Sequence, residues 1–174
     1  MVCNGQRKDM NIEQLIPPGF CLECGFCCRF AEADSVWTPH LSDDDIRALD
    51  EDGLFGDLID RTRKAMVTRP SRSGGHYVCA CLSEEDHKCG IYAIRPMECG
   101  LYPLLMNRRH GRAFLAIDVH CKYVKENKGT GEFKEKLEKT IRSIPLGELR
   151  DLIEKDPSFA QEYEGAENIL EMTG

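Results

Sequence analysis

Apolar positions in the last third of the chain return at helical spacing. Phe133, Leu137, Thr140, Ile141 and Ile144 fall on one stripe, with Glu and Lys filling many intervening positions, so a helix is predicted up to Pro145. Leu146, Leu149, Leu152 and Ile153 restart the pattern in a second helix, and Asp156-Pro157 opens a third that runs weakly toward Leu170. Further upstream, Ser42 followed by Asp43, Asp44 and Asp45 reads as a capped helix start leading into Ile46 and Leu49, and another helix is predicted from about Leu54 to Met66. The run Arg69-Pro70-Ser71-Arg72-Ser73-Gly74-Gly75 breaks the chain, and residues 76–82 then alternate enough for a short strand. Leu104 to Asn107 and Ala113 to Val119 flank Arg108-Arg109-His110-Gly111-Arg112, the pattern of a hairpin with a solvated basic tip.

Composition sharpens this picture. A chain of 174 residues with 41% apolar content suits one folding unit with a real core. The first twenty residues carry Arg7, Lys8, Asp9 and Glu13 and no apolar run of signal-peptide length. No later segment approaches the ~18 apolar residues of a membrane span, so the expected location is cytoplasmic. A net charge of −7 repels phosphate backbones and anionic membrane surfaces, so neither nucleic acid nor membrane is the expected partner.

The ten cysteines change the picture most. Reduced compartments keep thiols free, which makes metal binding the reading to prefer over disulfide staples. Nine of the ten lie between Cys21 and Cys121 and none follows Cys121, which divides the chain into a metal-bearing body, 1–128, and a helical extension, 129–174, packed on the same unit. Cys21, Cys24 and Cys27 are spaced to converge on one centre, with Gly25 relieving the backbone between them. Cys28 leaves the backbone in a different direction from Cys27, and a second role follows for one of the pair. A bacterial ferredoxin would have its fourth cysteine where Ala31 stands, a radical S-adenosylmethionine enzyme would have Cys-x3-Cys-x2-Cys, and a zinc ribbon would have a second Cys-x2-Cys pair. None of these fits, so the remaining ligands must come from farther along the chain.

Cys21-Leu22-Glu23-Cys24-Gly25-Phe26-Cys27-Cys28-Arg29, followed by Cys81-Leu82, Cys89-Gly90-Ile91-Tyr92, Arg95-Pro96, Cys99 and Tyr102-Pro103, closely resembles the YkgJ-type cysteine-cluster family. The resemblance covers about Phe20 to Cys121 and leaves the helical tail outside it. It implies a zinc- or iron-chelating domain, similar also to the cysteine-rich part of flagellin lysine N-methylases, although no methyltransferase signature is present. On motif matching it implies Cys21, Cys24, Cys27, Cys28, Cys81, Cys89, Cys99 and Cys121 as metal ligands, with Cys3 and Cys79 left as spare thiols.

Around this set, Arg95-Pro96 suggests a turn that presents Cys99 from a constrained loop. Tyr92 and Tyr102 are candidates to shield the site, and Arg29 and Arg95 to offset thiolate charge. His87 and His120 are weaker ligand candidates. The expected fold is a small irregular α+β domain, its short strands and hairpin organised by metal and its helices peripheral. The expected cofactor is iron-sulfur, one or two 4Fe-4S clusters, serving electron transfer or maturation of a protein partner. The alternative is a zinc-binding structural or protein-interaction module. No nucleophile-base pair, phosphate loop or paired-carboxylate signature marks the chain as an enzyme.

Overall fold

The computed structural model describes residues 12–51, 53 and 56–172, so Cys3 lies outside the described residues. The fold is mixed α+β, with six α-helices and three small antiparallel sheets among the described residues. Its contacts gather into two compact units, Pro18–Cys99 on one side and residues 12–17 with the chain from Gly100 onward on the other.

The first unit holds α1 (Pro18–Cys24), β1 (Arg29–Phe30), α2 (Asp43–Glu51), β2 (Ile59–Asp60), β3 (Ala65–Met66), β4 (Thr68–Pro70), β5 (Tyr77–Cys79) and most of α3 (Met97–Leu101). No strand exceeds three residues. β5 lies between β1 and β4 in one sheet, and β2 pairs with β3 in another. Phe30, Leu41, Leu49, Ile59, Met66, Val78, Leu82 and Ile91 form its core, joined by the buried Cys79 and Cys81.

α2 begins where the acidic run predicts, by a reciprocal cap. The Asp45 amide donates to Ser42 Oγ at 3.1 Å, and the Ser42 amide donates to Asp45 Oδ2 at 3.0 Å. The other oxygen of the buried Asp45, Oδ1, accepts from the Met97 amide at 2.9 Å, so one carboxylate serves the first turns of both α2 and α3.

The helix expected from about Leu54 to Met66 is not formed. After a single 3-10 turn at Gly56–Leu58, the chain folds back as the β2–β3 hairpin. Asp60 Oδ1 accepts the amides of Thr62 and Arg63, each at 3.0 Å, which gives the backbone a local alternative to helix. Ile59, Ala65 and Met66 are buried by that fold-back. Leu54 and Phe55 lie outside the described residues.

The second unit is more regular. β6 (Leu104–Arg109) and β7 (Arg112–Asp118) form the predicted hairpin in continuous register from Leu104↔Ile117 to Arg109↔Arg112. Its two turn residues, His110 and Gly111, have φ of 50° and 78°, the double positive pair that matches strand twist in a tight hairpin. α4 (Lys122–Asn127), α5 (Gly131–Ser143) and α6 (Leu146–Lys155) follow, with Thr130 Oγ1 accepting the Phe133 amide at 3.1 Å to start α5.

The weak third helix toward Leu170 is replaced by a 3-10 turn at Pro157–Phe159 and by β8 (Ala166–Glu171), which pairs with β7. The open edge of β7 overrides the local helical pattern, and Asn107, fully buried, ties the result together. Its Nδ2 donates to Asn168 Oδ1 at 2.7 Å, while its Oδ1 accepts the Tyr163 amide at 3.0 Å. Arg108 and Arg109 are not merely a solvated tip. They donate to the carbonyls of Ala160, Pro157 and Tyr163 at 3.0 to 3.1 Å and fasten the segment that leads into β8.

Candidate metal centre

The Cys-x2-Cys-x2-Cys-Cys segment is a short helix, a reversal and a turn, not one loop. Cys21 and Cys24 stand three residues apart on α1 and so share a face. Gly25, with φ of 57°, ends the helix in the left-handed region, and a 3-10 turn at Phe26–Cys28 follows. Beyond it, β1 pairs with β5 in the register Arg29↔Val78 and Phe30↔Tyr77. One further step along that register sets Cys28 against Cys79.

A second turn brings in two more cysteines. The Leu82 amide donates to the Cys79 carbonyl at 2.9 Å, the Gly90 amide to the Cys81 carbonyl at 2.9 Å, and Leu82 bridges Cys89. This loop is fastened from outside by Glu84, whose carboxylate accepts from Arg69, from Ser71 Oγ at 2.6 Å and from the Arg72 amide at 3.0 Å. Those bonds hold the Glu84 carboxyl down at about 2. Cys99 is carried by α3, not by a loop. Arg95 ahead of Pro96 is extended, with ψ of 148°, and the helix starts two residues later.

The thiols feel one another. Burial raises the Cys99 thiol well above its ordinary value, and the charges of Cys28, Cys79 and Cys89 add to the rise. Burial pushes Cys89 to about 11, with Cys28 and Cys79 adding to it and Arg95 opposing. Burial also raises Cys21, with Cys28, Cys24 and Cys89 contributing and Arg95 again opposing. Cys28 is raised well above its ordinary value by its hydrogen bond with Cys27 and by burial. In the Cys79–Cys81 pair the hydrogen bond between the two side chains lowers Cys79 and raises Cys81. Arg29 favours the Cys28 thiolate, Arg69 the Cys79 thiolate, and Arg95 those of Cys21 and Cys89.

Cys79, left as a spare thiol by the motif, lies near enough to Cys28, Cys81, Cys89 and Cys99 to bear on their ionisation, and with it Pro18–Cys99 contains eight cysteines. The motif spacing gave no sign of this, because its place is set by the β1–β5 register between residues about fifty apart. Cys121 lies in the second unit, where burial raises its thiol and Tyr102, Tyr123, Val124 and Asp118 surround it.

Tyr102 donates to Asp118 Oδ2 at 2.6 Å, and His120 Nδ1 stands 3.4 Å from Asp118 Oδ1. His87 Nδ1 is 2.9 Å from the Arg29 guanidinium, whose other nitrogen is 3.2 Å from His76 Nε2. Arg95 lies 4.1 Å over the Tyr92 ring. Both Arg29 and Arg95 thus act on the thiol set, as their positions in the sequence suggested.

The donor set is soft and, within Pro18–Cys99, all sulfur, which suits zinc and iron-sulfur alike. Buried thiols that repel one another's ionisation are held protonated unless a cation compensates, and metal supplies that charge. Among the described residues no three His, Cys, Asp or Glu side chains are drawn in tightly enough to hold a metal ion as they stand.

An irregular α+β fold gathering eight cysteines in one unit defines a cysteine-cluster metal-chelating domain. Residues 20–122 match the CxxCxxCC family, described as a putative zinc- or iron-chelating domain, and the chain belongs to that family. No curated protein and no solved structure matches the chain. No helix among the described residues is long and apolar enough to cross a membrane.

Proposed function

We propose that Pro18–Cys99 holds iron as one or two sulfide-bridged 4Fe-4S clusters, which serve electron transfer or are passed on in the maturation of a protein partner in a reducing compartment. The observation that carries this reading is the mutual influence of the thiols. Cys28, Cys79, Cys89 and Cys99 each bear on the ionisation of others in the set, and Cys21, Cys24, Cys27 and Cys81 border them. Eight cysteines are enough for two four-thiolate sites, and the Cys-x2-Cys-x2-Cys spacing is typical of clusters.

Bound iron-sulfur would supply one-electron chemistry, or iron and sulfide for transfer. The chain's cysteines would bind it, and Arg29, Arg69 and Arg95 would offset its charge.

Anaerobic purification with iron, zinc and acid-labile sulfide analysis tests the proposal. A brown protein with sulfur-to-iron charge-transfer absorption is expected. A colourless anaerobic preparation with stoichiometric zinc and no sulfide overturns it in favour of a zinc module. Cys79→Ser is expected to lower bound iron as Cys21→Ser, Cys24→Ser and Cys27→Ser do, and full retention of metal in Cys79→Ser removes it from the site.

A further inference from the structure

Within the cysteine-bearing segment, Glu23 and Phe26 are exposed. Neither α1 nor the turn after it contains a buried residue, whereas Cys79 and Cys81 are buried. Between Cys24 and Cys27, Phe26 leaves 49% of its surface in water. The metal-ligand spacing needs no aromatic ring there, and the core gains nothing from one so exposed.

Along the neighbouring sequence, acidic side chains outnumber basic ones. Glu23, Glu32 and Asp34 are exposed, and Arg29 is the sole Lys or Arg in the sequence from Pro18 to Ile46. Its guanidinium is engaged with His76 and His87. Pro18–Cys99 contains nine Lys and Arg against fifteen Asp and Glu, a formal −6 of the chain's −7. Metal-bound thiolates deepen that field.

We infer that the exposed stretch around Phe26, with the exposed Glu23, Glu32 and Asp34 near it in sequence, is a docking surface for a basic protein partner with an apolar patch. The acidic residues steer the partner in, and Phe26 enters its patch beside the cysteine cluster. The surface deepens the iron-sulfur reading, and its redox arm rests on that reading.

Cytochrome c, a basic protein with lysines around an exposed haem edge, is a suitable probe for the anaerobically purified full chain. Binding followed in the NMR lines of cytochrome c is expected to weaken at least about tenfold between roughly 20 and 200 mM salt. Phe26→Ser is expected to weaken binding about threefold or more, and Glu32→Lys with Asp34→Lys about tenfold, with metal content and visible spectrum unchanged. In stopped flow the reduced protein gives one electron to the ferric haem, which becomes ferrous, and salt slows that step. Oxidation by ferricyanide, which takes one electron to become ferrocyanide, is expected to speed up with salt.

Binding indifferent to Phe26→Ser and to the charge reversals overturns the surface, as do salt effects of the same sign for both oxidants. A colourless zinc protein that shows the expected binding pattern keeps the surface and ends the iron-sulfur reading. A brown protein without that pattern does the reverse.

Discussion

The two units solve the same problem by different means. In the second, β6 and β7 pair over six rungs, β8 closes one edge, and Leu104, Met106, Leu115, Leu149 and Phe159 are almost wholly buried. In Pro18–Cys99 the strands are two or three residues long, and cysteines occupy core positions that leucine and valine would fill elsewhere. Short ladders contribute little, and free buried thiols are small apolar groups that pack modestly. The contrast teaches that the first unit has less sheet and apolar core to order it than the second, so bound metal is expected to matter more to its stability.

Metal removal gives the largest expected effect. Anaerobic chelation should cost Pro18–Cys99 its amide protection by orders of magnitude, since apparent metal-binding energies of small sites reach about 10 kcal/mol. The β6–β7 amides should change by less than about threefold. Hydrogen exchange read by mass spectrometry separates the units, and equal loss in both breaks the comparison.

The converse perturbation is Leu115→Ala, at a fully buried position. It should cost the second unit about 2–5 kcal/mol in denaturant melts while bound metal per chain is unchanged. Loss of metal in that variant would show that the units do not stand apart energetically.

A subtler test uses Glu98, which accepts the His40 amide at 2.7 Å. Burial, with Asp45 adding to it, raises its carboxyl to about 8. Since the folded value lies above the unfolded one of 4.5, the folded state binds the extra proton between them, and stability falls as pH rises from about 4.5 to about 8. Glu98→Gln should flatten that decline in the first unit, by up to a few kcal/mol at pH 8, and leave melts of the second unsloped. An unchanged pH profile in the variant would assign the decline to other groups.

The smallest effect concerns Gly111. Gly111→Ala at φ of 78° should destabilise the hairpin by about 1 kcal/mol, visible in exchange at β6–β7 and not in metal content.

What the sequence disclosed was local. The Ser42–Asp45 cap, the tight turn at His110–Gly111 and the stripe of α5 rest on residues a few positions apart, and each is present. The cysteine knot was legible as a motif because its ligand spacing is short. The nearness of Cys79 to Cys28 was not legible, because it depends on the pairing of strands about fifty residues apart. Residues 166–171 read as helix because nothing nearby in sequence announces that β7 lacks a neighbour. The span from Leu54 to Met66 failed differently, since Asp60 turned the chain back within a pattern that apolar spacing alone favoured as helix.

The pairing of β1 with β5 also sets a clock. Cys28 leaves the ribosome 51 residues ahead of Cys79, and at ordinary synthesis speeds the delay is roughly 3–10 s. For that interval the four thiols of Cys21 to Cys28 are made and the strand that opposes β1 is not. A newborn chain thus carries these thiols without β5 until residue 79 emerges.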